Sequence, residues 1–136
     1  IIMTQKKVLI VDDSKLMRII IKKILSDDNL FVVTGEAGNG IEALAELERE
    51  MPDIIFLDIE MPEMDGVEAL KEIRAKYSTK VVVVSSVAQM GSSRAAEVNQ
   101  LGADAVIEKP GGAVDPTLAT QKGKELIEIA RKVLGV

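Results

Sequence analysis

Four short β-branched runs in this chain each end on side chains able to do chemistry. Asp12 and Asp13 follow Val8–Val11, Asp58 follows Ile54–Leu57, Ser85 and Ser86 follow Val81–Val84, and Glu108 and Lys109 follow Ala105–Ile107. A carboxylate can attack a phosphoryl group and become an acyl phosphate. Further carboxylates can hold a hard cation such as Mg²⁺, which takes oxygen ligands and keeps water and phosphate oxygens in its shell. An ammonium and a hydroxyl can then offset charge on the transferred oxygens, roles that suit Lys109 and Ser85. Three aspartates in contact would repel one another unless a cation neutralised them. Asp58 is the candidate nucleophile because it stands alone after the central run, whereas Asp12 and Asp13 are better placed to hold metal. Any one of these aspartates alone would read as a turn or cap residue, and Asp13 or Ser14 suits the N-cap of the helix that follows.

Composition narrows the chemistry further. The 136 residues carry 17 Lys plus Arg against 22 Asp plus Glu, a formal charge of −5, with no His, Cys or Trp. Thiol nucleophiles, zinc–thiolate sites, disulfides, imidazole bases and Ser-His-Asp triads are therefore excluded. The aromatics are Phe31, Phe56 and Tyr77 alone, and with the net acidity this argues against nucleic acid as a partner. No apolar run is long enough to span a membrane and no signal-peptide pattern opens the chain, so the expected compartment is the cytoplasm.

The elements that would position these groups alternate along the chain. The β-branched runs, with Phe31–Val33 as a fifth, read as strands apolar on both faces, as in a covered parallel sheet. Between them lie helical stripes: Met17, Ile20, Ile21 and Ile24; Ile41, Leu44, Ala45 and Met51; Val67, Leu70 and Ile73; and Leu126, Ile129, Ala130, Val133 and Leu134. Ser92–Leu101 is the weakest helix, with a partly exposed face. Gly38 and Gly40 precede the second helix and Pro52 ends it, while Pro110–Gly112 and Pro116 open a loop before the last. Five βα units with right-handed crossovers give an α/β fold: a doubly wound, flavodoxin-like sandwich on a five-stranded parallel sheet of order 2-1-3-4-5. Residues 1–136 are expected to form a single domain, with 1–5 an N-terminal tail and 117–135 the final helix. In such a sheet, ligands collect beyond the carboxyl ends of the strands where their order reverses, between the first and third.

Val11-Asp12-Asp13-Ser14, Leu57-Asp58-Ile59-Glu60-Met61-Pro62 with Asp65-Gly66, Val81–Val84 ending in Ser85-Ser86, and Lys109-Pro110 together resemble the receiver domain of bacterial two-component response regulators, from Lys6 to about Val136. That resemblance implies that Asp58 is the phosphoacceptor. It also implies that Asp13, Asp58 and the backbone carbonyl of Glu60 ligate Mg²⁺ with Asp12 assisting, often through water, and that Lys109 and Ser85 engage the phosphoryl group. It implies a cis Lys109–Pro110 bond and a sensor histidine kinase as donor, since this chain has no His of its own. Ser85-Ser86-Val87, Glu60, and Gly102-Ala103 leading to Glu108–Gly112 resemble most the receiver of the chemotaxis protein-glutamate methylesterase, whose receiver is linked to a Ser-His-Asp hydrolase domain. The chain then reads as that receiver, acting on its own effector domain, or as a stand-alone chemotaxis regulator with a downstream target protein. Receivers usually carry Tyr or Phe three residues before the lysine, and Val106 stands there instead.

Two other classes compete. A Mg²⁺-dependent phosphatase with an Asp nucleophile would want Asp-x-Asp after the first strand, and Asp12-Asp13-Ser14 has the wrong spacing. A flavodoxin-like mononucleotide binder would want a Ser/Thr/Gly-rich loop there, and two aspartates would repel the nucleotide's phosphate.

Overall fold

The computed structural model describes residues 4–86, 91, 93–110 and 116–136, with side chains of the last segment from Thr120 onward. In chain order the elements are β1 (Lys6–Val11), α1 (Lys15–Ser26), β2 (Phe31–Ala37), α2 (Gly40–Arg49), β3 (Ile54–Asp58), α3 (Gly66–Lys76), β4 (Lys80–Ser85), α4 (Ser93–Gln100), β5 (Ala105–Glu108) and α5 (Pro116–Leu134). All strand pairs are parallel and the order is β2-β1-β3-β4-β5, the expected doubly wound arrangement.

Alternation along each strand splits the core in two. Val8, Ile10, Ile54, Phe56, Val82 and Val84 pack with Ile21 and Leu25 of α1 and Leu126 and Ala130 of α5. The intervening Leu9, Val11, Ile55, Leu57, Val81 and Val83 pack with Ala43 and Leu47 of α2, Val67, Leu70 and Ile73 of α3, and Val98 of α4. Both faces of β1, β3 and β4 are covered, which is why these strands read as unbroken apolar runs.

Caps fix the helix starts. The side chains of Ser14, Asn39 and Asp65 accept hydrogen bonds from the backbone N–H groups of Met17, Glu42 and Glu68. The buried face of α2 differs from the expected stripe. With the helix beginning at Gly40, its core face is Ala43 and Leu47, while Ile41, Ala45 and Met51 of the expected stripe are exposed and Leu44 is only partly covered. Strand β2 runs four residues beyond the expected Val33. Thr34 is skipped in the pairing with β1, so Gly35, Glu36 and Ala37 pair with Leu9, Ile10 and Val11. An edge strand tolerates such polar residues because one of its edges meets solvent. Ala95 and Val98 are the buried residues of α4 and Ala96 is exposed, in line with its weak stripe.

Helix α5 is held to the α1–β2 turn by Arg131, whose Nε and Nη2 donate to Asp28 Oδ2 and Oδ1 at 2.9 and 2.8 Å. These bonds, with that from the Leu30 N–H, hold the Asp28 carboxyl below the usual carboxylate range. Its folded-state pKa is depressed, so its contribution to stability is present above the unfolded carboxylate pKa and fades as pH falls through the folded one. Asp28→Ala is therefore expected to lower the urea midpoint at pH 7 and to matter progressively less in acid. A penalty independent of pH would contradict this account.

Candidate functional site

Strand ladders deliver the polar groups to one end of the sheet. Val11 pairs with Leu57, so Asp12 and Asp58 emerge side by side from β1 and β3. Ser85 stands one step beyond Val84, the partner of Asp58, and faces Glu108 across the β4–β5 ladder. The Lys109 N–H donates to the Ser85 carbonyl at 2.8 Å, extending that ladder by one residue. The lysine is thereby held over the carboxylates. Its Nζ lies 3.3 Å from Asp12 Oδ2 and 3.3 Å from Asp58 Oδ2.

Asp12 and Asp58 are each 1% exposed and Ser85 is fully covered. One oxygen of each carboxylate is satisfied by local backbone: Asp12 Oδ1 accepts from the Ser14 N–H at 2.8 Å, and Asp58 Oδ1 from the Glu60 N–H at 3.1 Å. The other oxygens, Asp12 Oδ2 and Asp58 Oδ2, accept no hydrogen bond, so the Lys109 contact is an ion pair without directed geometry. Burial, and next the charge of Asp12, push the Asp58 carboxyl up to about 6. Burial raises Asp12 as well, against the pull of the Ser14 N–H and Lys109. Burial would lower Lys109, but the charges of Asp58 and Asp12 outweigh it and the ammonium is held above its ordinary value.

Asp13 is exposed, yet it offers an oxygen to the same cluster: ligand atoms of Asp12, Asp13 and Asp58 all lie within 4.8 Å of one another. Two buried carboxylate oxygens that accept no hydrogen bond, beside a third carboxylate, suit a hard cation, whose ligands are oxygens. Glu60 sits on the β3–α3 loop with its side chain exposed. Ser14 rather than Asp13 caps α1. No cis peptide bond occurs among the described residues, so Lys109–Pro110 is trans, contrary to expectation. Val87 lies outside the described residues.

A family model for the response regulator receiver domain matches residues 8–129. The chain belongs to that family. Receivers bind Mg²⁺ at an acidic pocket and take phosphate from histidine kinases. This receiver is 39% identical over 93% of its length to protein-glutamate methylesterase/protein-glutamine glutaminase 1 of Syntrophomonas wolfei, and 39% identical over 96% to the corresponding Thermotoga maritima protein. It spans 36% and 38% of those relatives. The response regulator domain of Thermotoga maritima CheB superposes with a TM-score of 0.85 at 38% identity, covering 98% of each chain. A structure described as the P1 domain of CheA3 in complex with CheY6 from R. sphaeroides gives 0.81 at 40% identity, covering 98% of this chain and 99% of that one. The receiver is thus of the two-component chemotaxis type and resembles the CheB receiver.

Two residues around the site escaped the sequence reading in their roles. Gly66 was visible only as part of a motif; in the fold its Cα rests on the backbone of Asp58, where an added Cβ would lie 2.2 Å from the Asp58 carbonyl oxygen. Arg94, the lone cation of α4, reaches back to the β3–α3 loop, and nothing in its neighbourhood along the chain signals this. Val106, partly buried, lines an open groove between β5 and α5 with Ile107, Glu125 and Ile129. No helix among the described residues is long and apolar enough to cross a membrane.

Proposed function

We propose that this receiver is a phosphoacceptor switch in which Asp58 takes a phosphoryl group from a phosphohistidine on a partner sensor histidine kinase. The observation that carries the reading is the buried pair of carboxylate oxygens, Asp12 Oδ2 and Asp58 Oδ2, sharing one lysine ammonium at 3.3 Å each. Asp58 Oδ2 attacks phosphorus, the P–N bond breaks, its electron pair goes to the departing imidazole nitrogen, and an acyl phosphate remains on Asp58. Asp58 must be ionised to attack, and a carboxyl near 6 is mostly ionised at neutral pH while being more basic than an exposed one. Lys109, 3.3 Å from Asp58 Oδ2, would follow charge from the carboxylate to the phosphoryl oxygens, and the Ser85 hydroxyl, which donates to the Ser86 carbonyl at 3.4 Å, would turn to donate to one of them. Asp13, Asp58 and the Glu60 carbonyl would hold Mg²⁺ with Asp12 assisting, and when bound it supplies charge neutralisation for those oxygens.

Val106 is too small to swing as an aromatic ring would, so what remains of the switch on this side is the Ser85 hydroxyl. Added charge at Asp58 then biases the β4–α4 and α4–β5–α5 surface between two packings. The chain's 39% identity to two protein-glutamate methylesterases supports control of a linked methylesterase effector domain. Its likeness over nearly the full length to the CheY6 complex structure supports a stand-alone regulator as the second reading. Either way the receiver domain itself would work in the cytoplasm and engage neither nucleic acid nor membrane. With acetyl phosphate and Mg²⁺, the protein is expected to gain the mass of one phosphoryl group and Asp58→Asn to gain none. Uptake of phosphate by the Asn variant would overturn the assignment.

A further inference from the structure

Arg94 closes the loop that carries the candidate metal-binding carbonyl. It stands in the first turn of α4, and its Nη2 donates to two acceptors at opposite ends of the β3–α3 loop: the Asp65 carboxylate, and the Ile59 carbonyl at 3.4 Å. Both acceptors already have structural duties. Asp65 Oδ1 caps α3 by accepting from the Glu68 N–H at 3.0 Å, and the Ile59 carbonyl accepts from the Gly66 N–H at 3.2 Å. Glu60 to Met64 therefore form a segment pinned at both ends by one guanidinium, immediately after Asp58. Within it Glu63 adopts a left-handed backbone with φ 65°, which a non-glycine residue holds only when its surroundings impose it. A second tie, from the Gly40 N–H to the Met64 carbonyl at 3.1 Å, fixes the same segment to α2.

We infer that Arg94 is a positioning residue for the Asp58 site: by clasping Asp65 and the Ile59 carbonyl it pre-shapes the loop whose Glu60 carbonyl completes the cation's oxygen set. The inference rests on the phosphoacceptor reading above and deepens it by adding a residue on α4, the helix at the far end of the segment that begins at Ser85. An ion pair this close to the surface adds little to global stability, where exposed pairs contribute on the order of 0–1 kcal/mol. Its effect is on loop order, so it registers in cation affinity far more than in unfolding.

The test compares the full chain with Arg94→Met, Asp65→Asn and the double variant. Asn keeps an oxygen to cap α3 while losing the charge Arg94 grips, so both single changes break the Arg94–Asp65 pair and Arg94→Met removes the bond to the Ile59 carbonyl as well. Mg²⁺ titrations by calorimetry are expected to show affinity reduced roughly three- to tenfold in each single variant, and in the double one no further than in Arg94→Met. Hydrogen exchange in the metal-free protein is expected to quicken at Glu60–Met64 while β1 and β3 amides are unchanged. Arg94→Lys, with charge but without a planar fork to serve two acceptors, is expected to recover only part of the affinity. Wild-type affinity in both single variants, or losses that multiply in the double variant, would overturn the inference. A parent protein that binds no Mg²⁺ and takes no phosphate would instead overturn the phosphoacceptor reading.

Discussion

Replacing Gly66 with alanine is expected to destabilise the protein by about 2–3 kcal/mol, the scale of forced overpacking, and to abolish Mg²⁺ binding and phosphate uptake together. The reason is crowding. A Cβ at this position would lie 2.2 Å from the Asp58 carbonyl oxygen, 2.4 Å from Ile59 Cα and 2.9 Å from the Asp58 carbonyl carbon. All three are backbone atoms of the strand end that carries Asp58, so no side chain can swing aside to make room. Either α3 moves out, losing the burial of Val67, Leu70 and Ile73, or the strand end moves and takes the Asp58 carboxylate away from Lys109. Urea unfolding measures the first cost and Mg²⁺ calorimetry the second. Gly40 is a milder case: there the three atoms nearest a Cβ belong to the Met64 side chain, and of these Cγ at 2.6 Å and Sδ at 2.8 Å can rotate away while Cβ at 2.9 Å must give with the loop. Parent-like stability and Mg²⁺ affinity in Gly66→Ala would show that this contact does not hold the site.

Asp58→Asn is expected to do the reverse to stability. In the metal-free protein, burial and the Asp12 charge raise Asp58 from the ordinary 3.8 to about 6. The folded chain therefore binds that proton more tightly than the unfolded chain does. Folding stability falls as pH rises from about 4 through 6 and stays at the lower level above that. A difference of about two pH units corresponds to roughly 2–3 kcal/mol. With EDTA present the Asn variant should exceed the parent by that order at about pH 8, and the advantage should shrink as pH drops below about 6. Asp28, Asp65 and Glu36, whose carboxyls are held low, weaken both proteins in acid and cancel from the comparison. Saturating Mg²⁺ should narrow or reverse the gap, because only the parent offers the full carboxylate set. An Asn variant no more stable than its parent at pH 8 in EDTA would show that the buried carboxylate pair is not a source of strain.

Much of the fold could be read from residue order because it rests on local pattern. Strands that are apolar on both faces demand cover on both, and helical stripes between them supply it; that logic yields the sheet order and places Asp12, Asp13, Asp58, Ser85 and Lys109 at one end. Where the reading slipped, a local signal was absent or ambiguous. Ile41, Ala45 and Met51 are apolar and suitably spaced, but packing against the sheet and α3 turns Ala43 and Leu47 inward instead. Thr34–Ala37 lie beyond the apolar run Phe31–Val33 and become strand because they pair along β1 with a one-residue slip.

The sequence by itself determined the inventory: aspartates, a serine and a lysine at strand ends, no histidine to donate phosphate, and Val106 where an aromatic would be expected. Periodicity and residue type are properties of the chain alone, so these conclusions needed no coordinates. Only the tertiary structure decided that Lys109 stands equally far from Asp12 and Asp58, that one oxygen of each carboxylate is left without a hydrogen bond, that Gly66 leaves no room for a Cβ, and that Arg94 reaches across to Asp65. Those facts depend on distances between residues as many as 97 positions apart in sequence, as Asp12 and Lys109 are, and such distances are set by how helices and sheet pack rather than by any short stretch of chain.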